Sequence, residues 1–261
     1  MNRLALSVEY DGTSYCGWQI QPHAPSIQQS LNEAISRVAD EPVHCVGAGR
    51  TDTGVHASGQ VVHFDSVAER SPRSWLLGIN SNLPADINLL NVWPVDDAFH
   101  ARFSAFRRAY RYVILNRPMR SALARDRAWW VRSSLDIERM AHAAGLLLGE
   151  HDFSSFRAAA CQAHSAVRDL QRLTVEKTGD RISIECEANA FLHHMVRNIV
   201  GSLVRVGSGE ADADWLADLL QRRDRRLAGM TAPACGLTLT RIDYPPPFEF
   251  IRPAPMQMTG E

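Results

Sequence analysis

Residues 173–184 read Leu-Thr-Val-Glu-Lys-Thr-Gly-Asp-Arg-Ile-Ser-Ile, and this stretch decides the fold class. Two β-prone runs, at 173–175 and 182–184, flank a Thr-Gly-Asp segment that is typical of a hairpin turn. A hairpin joins antiparallel strands, whereas parallel strands need a much longer crossover connection. The stretch therefore predicts an α+β protein rather than one with a parallel, doubly wound sheet.

The chain on either side of this hairpin alternates between strand and helix patterns. Leu4, Leu6, Val8 and Tyr10 alternate with other residues as in a half-buried strand, and Ser26 is a predicted N-cap of the following helix. We expect two strand–helix units of comparable size. The further predicted elements are helices around 75–79, 137–148, 195–204 and 215–220, and strands at 60–64, 87–92, 110–115 and 237–239.

The predicted organisation has three parts. An N-terminal half covers 1–100, a C-terminal half covers 101–244, and a proline- and methionine-rich tail covers 245–261. We expect the tail to be extended or poorly ordered, because proline excludes regular structure and chain ends are rarely fixed. No glycine-rich phosphate loop follows a predicted strand, so a nucleotide cofactor is not indicated.

Composition is that of a soluble globular protein, with 45% hydrophobic and 22% charged residues. No apolar run is long enough to span a membrane, and the first residues lack a signal-peptide core. We therefore predict a cytoplasmic protein that does not contact a membrane. The five cysteines are widely spaced and contain no C-x-x-C pair, so we expect buried or idle thiols rather than a zinc site or disulfides.

The formal net charge is −1, yet arginine is concentrated in one window. Nine arginines lie between 101 and 132, where Asp126 is the only acidic residue. Such a patch is suited to neutralising phosphates of a nucleic acid. Because Lys177 is the only lysine, a chain-wide preference for arginine explains the residue type but not the clustering.

The segment at 47–57 reads Gly-Ala-Gly-Arg-Thr-Asp-Thr-Gly-Val-His-Ala. Glycines permit backbone conformations that other residues resist and let a ligand approach closely. Asp52 and Arg50 in such a loop are candidates for catalysis and substrate binding. The alternative is a structural one, with Asp52 capping a turn and Arg50 forming a surface ion pair.

A second candidate cluster is Arg-Arg-Ala-Tyr-Arg-Tyr at 107–112. On a strand, Tyr110 and Tyr112 share one face and Arg111 lies on the other. Aromatic rings beside arginines suit RNA, because an unstacked base can lie on the ring. Taken alone, two tyrosines on a strand more often belong to an ordinary hydrophobic core than to a binding site.

A third cluster, at 189–198, combines His193, His194 and Arg197 at the start of a predicted helix. Neighbouring residues on a helix diverge by about 100°, so the two histidines are not expected to share a metal ion. Arg197 lies one turn from His193 and could reach a carboxylate.

Taken in order, these segments resemble the tRNA pseudouridine synthase A (TruA) family over roughly residues 3–244. The matching blocks are Tyr-Asp-Gly-Thr at 10–13, Gly-Trp-Gln at 17–19, Gly-Arg-Thr-Asp-Thr-Gly-Val-His-Ala at 49–57, Asn-Leu-Pro at 82–84, Phe-His-Ala-Arg-Phe-Ser-Ala at 99–105, Tyr-Arg-Tyr at 110–112, Asp-Phe-Ser-Ser-Phe-Arg at 152–157, the segment 190–201, and Thr-Ala-Pro-Ala at 231–234 with Gly-Leu at 236–237.

The resemblance implies an α+β fold of two ferredoxin-like (RRM-like) halves that share a largely antiparallel sheet, with the active-site cleft between them. It implies a tRNA pseudouridine synthase that acts on uridines 38 to 40 of the anticodon stem-loop. It also implies a homodimer that needs no cofactor and no metal.

The resemblance also assigns roles to individual residues. Asp52 aligns with the catalytic aspartate, Arg197 is its expected ion partner, and Tyr110 is expected to stack on the uracil and to assist removal of the C5 proton. Arg50 is expected to replace the displaced base or to hold a phosphate. Whether Asp52 attacks the ribose or abstracts a ribose proton is open.

Two other classes of protein remain as alternatives. A non-catalytic RNA-binding protein explains Tyr110 and the arginines, but it has no need of Asp52 in a glycine-rich loop. A metal-dependent hydrolase would use the paired histidines, and a strong chelator would abolish its activity.

Overall fold

The computed structural model describes residues 1–251 and divides into two compact units. The first unit comprises Met1–Phe106 and the chain from Leu239 onward, and the second comprises Arg107–Thr238. Each unit combines α-helices with antiparallel strands, so the predicted α+β class is confirmed.

The first unit begins with alternating strands and helices. Its sheet has β1 in the middle, and β1 pairs antiparallel with both β3 and β4, while β2 pairs with β3. Helices α1 and α2 contact each other, and α2 also packs on β4. The elements are β1 (Asn2–Tyr10), α1 (Ile27–Ala39), β2 (Val46–Gly47), β3 (His56–Ser66), α2 (Pro72–Asn82) and β4 (Ile87–Val95).

Local sequence explains the start of α1. The Ser26 side chain accepts a hydrogen bond from the backbone N–H of Gln29, as the predicted N-cap requires. Ile27, Leu31 and Ile35 are fully buried and form the apolar face of this helix. The helix ends at Ala39, and its C-cap, Asp40, adopts a left-handed conformation with φ of 60°.

The second unit has a sheet in the order β5-β9-β8-β7, with antiparallel neighbours. A short strand, β6, adds to β5 in parallel. Helix α3 packs on β8 and on helices α4 and α5. The elements are β5 (Arg107–Asn116), β6 (Trp129–Val131), α3 (Ile137–Gly145), β7 (Gly149–Asp152), β8 (Val167–Thr178), β9 (Arg181–Ala188), α4 (Met195–Gly207) and α5 (Ala213–Arg222).

The hairpin predicted from residues 173–184 is formed by β8 and β9. Thr178 lies opposite Arg181 in the antiparallel register, so the connection is tight. Gly179 has φ of +57°, a left-handed conformation that glycine adopts without strain. The antiparallel pairing that this stretch predicts is thus confirmed.

The last strand, β10 (Leu237–Asp243), changes the predicted division of the chain. From Leu239 onward the chain belongs to the first unit, where β10 lies beside β3. The structure therefore departs from the predicted halves 1–100 and 101–244. The first unit extends to Phe106, and the pairing of β10 with β3 returns residues after 238 to it.

The segment that follows β10 also differs from its prediction. The Tyr244 hydroxyl donates to the carbonyl of Ala101, the Phe248 ring lies 5.1 Å from that of Phe99, and Ile251 is fully buried. Phe248 and Ile251 are therefore packed rather than extended or poorly ordered, whereas residues 245–247, Glu249 and Phe250 are exposed. The rest of the predicted tail, 252–261, lies outside the described residues.

Within residues 1–251, no helix has both the length and the apolar character needed to cross a membrane.

Candidate active site

Asp52 lies in an irregular loop that connects β2 to β3 in the first unit. Its side chain is half-buried, whereas the neighbouring Arg50 is exposed. Thr51, between them, is buried, with 6% of its surface accessible. The loop thus holds its backbone inside the unit and presents Asp52 and Arg50 outward.

A buried hydrogen-bond network between β1, β3 and the loop holds the loop in place. The hydroxyls of Tyr10, at the end of β1, and Thr51 form a 2.8 Å hydrogen bond. The Gln60 amide on β3 donates to the carbonyl of Gly49 at 2.8 Å and to the Tyr10 hydroxyl at 3.5 Å. Burial raises the pKa of Tyr10 to about 12, so this hydroxyl stays protonated at neutral pH.

The backbone at 12–18 supports the loop from a second side. The backbone N–H of Trp18 donates to the carbonyl of Thr51 at 3.0 Å. Gly17 has φ of +87°, and a Cβ at this position would lie 2.6 Å from the same carbonyl oxygen. Both the conformation and the close approach therefore require glycine, directly behind Asp52.

Residue patterns do not identify either support. They indicate Tyr10 only as a strand residue and Gln60 only as the start of a strand. The sequence signal for these supporting residues is the pair of short motifs at 10–13 and 17–19. The motifs fit the pattern of the family that the chain resembles, but this fit does not reveal what the residues do physically. Their role is to shape a loop that lies more than thirty residues away.

Tyr110 and Tyr112 lie on β5 with their side chains on one face, as the strand period requires. Tyr112 is fully buried and donates to the carbonyl of Pro233, so the core alternative is correct for this residue. Tyr110 retains 9% exposure, and the Phe191 ring packs edge-on against it at 5.1 Å. The fixed ring of Tyr110 is thus a candidate stacking surface.

Arg197 lies in the first turn of α4 and is half-buried. Its Nε donates to the carbonyl of Ala232 at 2.8 Å, which fixes the direction of the guanidinium. The neighbouring carbonyls of Ala232 and Pro233 thus accept hydrogen bonds from Arg197, a candidate residue, and from Tyr112, a core residue.

The structure overturns the geometric argument about the two histidines. Helix α4 begins only at Met195, and His194 precedes it with a left-handed φ of 62°. The rings of His193 and His194 consequently lie 4.1 Å apart instead of diverging around a helix. Two imidazoles could share a cation here, so the expectation that no metal is needed stays a prediction.

The arginines between 101 and 132 carry less uncompensated positive charge than the sequence suggests, because several of them form ion pairs. Arg107 pairs with Glu187, Arg111 with Glu185, and Arg117 with Asp180. These acids come from the strand β9 and its turn, so counting within the window could not find them. Arg125 pairs with Asp126 inside the window. Part of the cluster is therefore a cross-strand ladder, and fewer arginines are available for phosphates.

Asp52 and Arg50 thus belong to the first unit, and Tyr110 and Arg197 to the second. Their convergence on a single nucleotide remains a prediction.

Comparison with known proteins assigns the family. A model described as tRNA pseudouridine synthase matches residues 6–104 and 143–245. The tRNA pseudouridine synthase A of Hydrogenovibrio crunogenus is 52% identical over 252 residues, covering 97% of this chain and 96% of that protein. The proteins of the same name from Methylococcus capsulatus and Nitrosococcus oceani are 52% and 50% identical, covering 97% and 96% of this chain and 93% and 96% of their own lengths. The chain belongs to the tRNA pseudouridine synthase family.

Proposed function

We propose that this protein isomerises uridine to pseudouridine in transfer RNA, at positions 38 to 40 of the anticodon stem-loop. Near-full-length similarity to proteins named tRNA pseudouridine synthase A carries the proposal. The Asp52 loop supports it, because a buried network and a glycine contact present one carboxylate on a fixed backbone.

The reaction breaks the bond between uracil N1 and ribose C1′, turns the base, and joins C5 to C1′. The proton on C5 is then lost, and N1 gains one. No oxidant, reductant or energy source is required. One carboxylate is sufficient because the uracil stays bound and is reused, whereas a glycosidase normally employs two.

Asp52 supplies that carboxylate in either of two ways. It attacks C1′ and forms a transient ester, or it removes a ribose proton to give a glycal-like intermediate. Both routes need a fixed carboxylate next to the ribose, which the supported loop offers. The target nucleotide must first leave the RNA stack, at a cost of a few kcal/mol.

The second unit supplies the partners in this proposal. The Tyr110 ring stacks on the uracil and its hydroxyl assists removal of the C5 proton. Arg197 is the ion partner that orients Asp52, and the carbonyl of Ala232 sets its direction. Arg50, exposed beside Asp52, takes the place of the displaced base or holds a phosphate.

The proposal includes the architecture implied by the resemblance. In the first unit, the order β1-α1-β2-β3-α2-β4 supports a ferredoxin-like half. In the second, α3 packed on β8 and on α4, with the antiparallel order β5-β9-β8, supports another. We further propose a cytoplasmic homodimer that works without cofactor or metal.

Release of tritium from tRNA labelled at uridine C5 tests the function. We expect release by the wild type, and a loss of at least about a thousandfold for Asp52→Asn, because a single catalytic group is removed. Binding of tRNA by this variant should be retained, since asparagine has the same shape. Normal release by Asp52→Asn would remove Asp52 from the mechanism, and absence of release by the wild type would contradict the function.

Two further measurements in this assay distinguish the proposed isomerase from a metal-dependent hydrolase. Activity in a strong chelator supports the metal-free reaction, whereas its loss points to a cation held by His193 and His194. Free uracil among the products would indicate hydrolysis instead of isomerisation. Because the isomerisation leaves mass unchanged, chemical mapping of pseudouridine in the reacted tRNA identifies the modified positions.

A further inference from the structure

Phe103 is an aromatic residue in the first unit for which the proposed chemistry has no use. It lies in the tight turn between β4 and β5, and 76% of its surface is exposed. We propose that the Phe103 ring is a second stacking platform, which receives an unpaired base of the RNA other than the uridine that reacts. The identity of the RNA rests on the proposed function.

The backbone beneath the ring is fixed. The backbone N–H of Ser104 donates to the carbonyl of His100 at 2.9 Å, and the His100 N–H donates to the Ser104 hydroxyl at 3.0 Å. These reciprocal bonds close the turn from both ends. An exposed side chain on such a turn loses little conformational freedom on binding, which favours affinity.

The ring itself is fixed by stacking. His100 lies 4.3 Å from Phe103 between ring centroids, with only 30° between the planes. The Nδ1 atom of His100 accepts the backbone N–H groups of Arg102 and Phe103, each at 3.2 Å, which sets the orientation of the imidazole. One face of Phe103 therefore contacts a positioned ring, while 76% of the residue's surface stays exposed beside the Arg102 guanidinium, which lies over the ring.

The support continues into the core. The buried His63 ring lies 4.6 Å from His100, and its Nδ1 accepts the N–H of Ala101 at 3.2 Å. His63, His100 and Phe103 thus form a contiguous series of three rings, with planes 58° apart between the two histidines and 30° apart between His100 and Phe103, which we call the ring column. A base placed on Phe103 would extend this column by one more ring.

The positive charge beside Phe103 favours RNA as the ligand of this ring. The Arg102 guanidinium lies over the Phe103 ring, 5.6 Å from its centroid. An aromatic surface next to a cation matches a nucleotide, which carries a π-face and a phosphate. A protein partner that buries Phe103 would also have to accommodate this cation, so RNA is the better match.

The test uses filter binding of unmodified tRNA anticodon stem-loop RNA to the full chain. We expect Phe103→Ala and Phe103→Leu to weaken binding about tenfold, because stacking on one base is lost. Phe103→Trp should keep the wild-type Kd, since tryptophan retains a π-face and leucine does not. Phe250→Ala is the control, since this phenylalanine also lies in the first unit and half of its surface is exposed.

A blunt RNA duplex of the same length provides the second arm. It offers no unpaired base, so Phe103→Leu should bind it as the wild type does. Equal binding of the stem-loop by Phe103→Leu and wild type would overturn the platform. So would a change in oligomeric mass for Phe103→Ala with an unchanged Kd, because Phe103 would then contact another protein copy. Tritium release by the wild type is scored separately, so failure of the platform and failure of the proposed function are distinguishable.

Discussion

Two irregular segments of the first unit hold functional candidates in different ways. The Asp52 loop is held by hydrogen bonds from Tyr10 and Gln60 and by the close approach of Gly17. The turn that carries Phe103 is held by the ring column of His63 and His100. The first support depends on single atoms and is insensitive to pH near neutrality. The second depends on broad ring contacts and on two titratable groups.

The difference shows what each position requires. A carboxylate that reacts must be placed to within a fraction of an ångström, and directed hydrogen bonds provide this. A stacking surface only needs to present a flat ring, and ring-on-ring packing is sufficient. The comparison predicts that single-atom changes damage the loop, whereas acid weakens the support of the turn.

Replacing Gly17 by alanine should have the largest effect on the loop. The new Cβ would lie 2.6 Å from the carbonyl oxygen of Thr51 and 3.0 Å from the backbone carbon of Asp52. We expect kcat to fall about a hundredfold or more, because Asp52 is displaced. The free energy of unfolding should fall by at least about 2 kcal/mol, from the left-handed backbone and the clash.

Gly179→Ala is the matched control for this change. Gly179 also has a positive φ, of +57°, but a Cβ added there would meet no atom within 4 Å beyond its chain neighbours. This variant should lose about 1 kcal/mol of stability and keep its kcat. Equal losses of kcat in the two variants would show that Gly17 acts through stability alone.

Removal of one hydroxyl, in Tyr10→Phe, should have an intermediate effect. Thr51 loses its 2.8 Å hydrogen bond while Gln60 still holds Gly49. We expect kcat to fall on the order of tenfold with KM nearly unchanged, since the carboxylate is loosened but the RNA surface is not.

The control for Tyr10→Phe is Tyr15→Phe. The Tyr15 hydroxyl donates to Asp86 at 2.6 Å, while the Tyr15 carbonyl accepts the N–H of Gly54 at 3.3 Å, so the substitution removes a side-chain bond and leaves this backbone contact with the Asp52 loop in place. Both variants lose a tyrosine hydrogen bond of similar length, so both should lose about 1 kcal/mol of stability. Only Tyr10→Phe should lower kcat, and a similar drop in Tyr15→Phe would assign the effect to general destabilisation.

Acid should act on stability, through the ring column, rather than on the geometry of the Asp52 loop. Burial lowers the pKa of His63 from 6.5 to about 4. Between these pH values the unfolded chain binds a proton that the folded chain does not, so stability falls as pH drops from 6.5 to 4. Urea midpoints measured across this range should fall less steeply for His63→Gln than for the wild type. Parallel slopes would show that His63 does not contribute.

The sequence predicts regular elements better than their connections. The hairpin of β8 and β9 follows from β-prone runs around a glycine turn, and α1 follows from its cap and apolar period. Both signals are local. The return of β10 to the first unit is a long-range pairing, and no local pattern reports it.

The candidate site shows the same limit. Asp52 stands out because glycines and charged residues surround it in sequence. Its supports, Tyr10 and Gln60, do not stand out, because a buried polar residue on a strand is recognised only once its partners are known. The acids that pair with Arg107 and Arg111 escape detection for the same reason, since they lie across a strand pair.

The close contact between Gly17 and Thr51 has a consequence for protein engineering. The nonapeptide at 49–57 does not encode its own shape, because that shape is imposed by a separate stretch of chain and by the strand ends beneath it. Grafting the nonapeptide onto another scaffold would transfer the reactive group without its geometry. The smallest portable unit is the whole arrangement of β1, the 11–18 segment, the loop and β3.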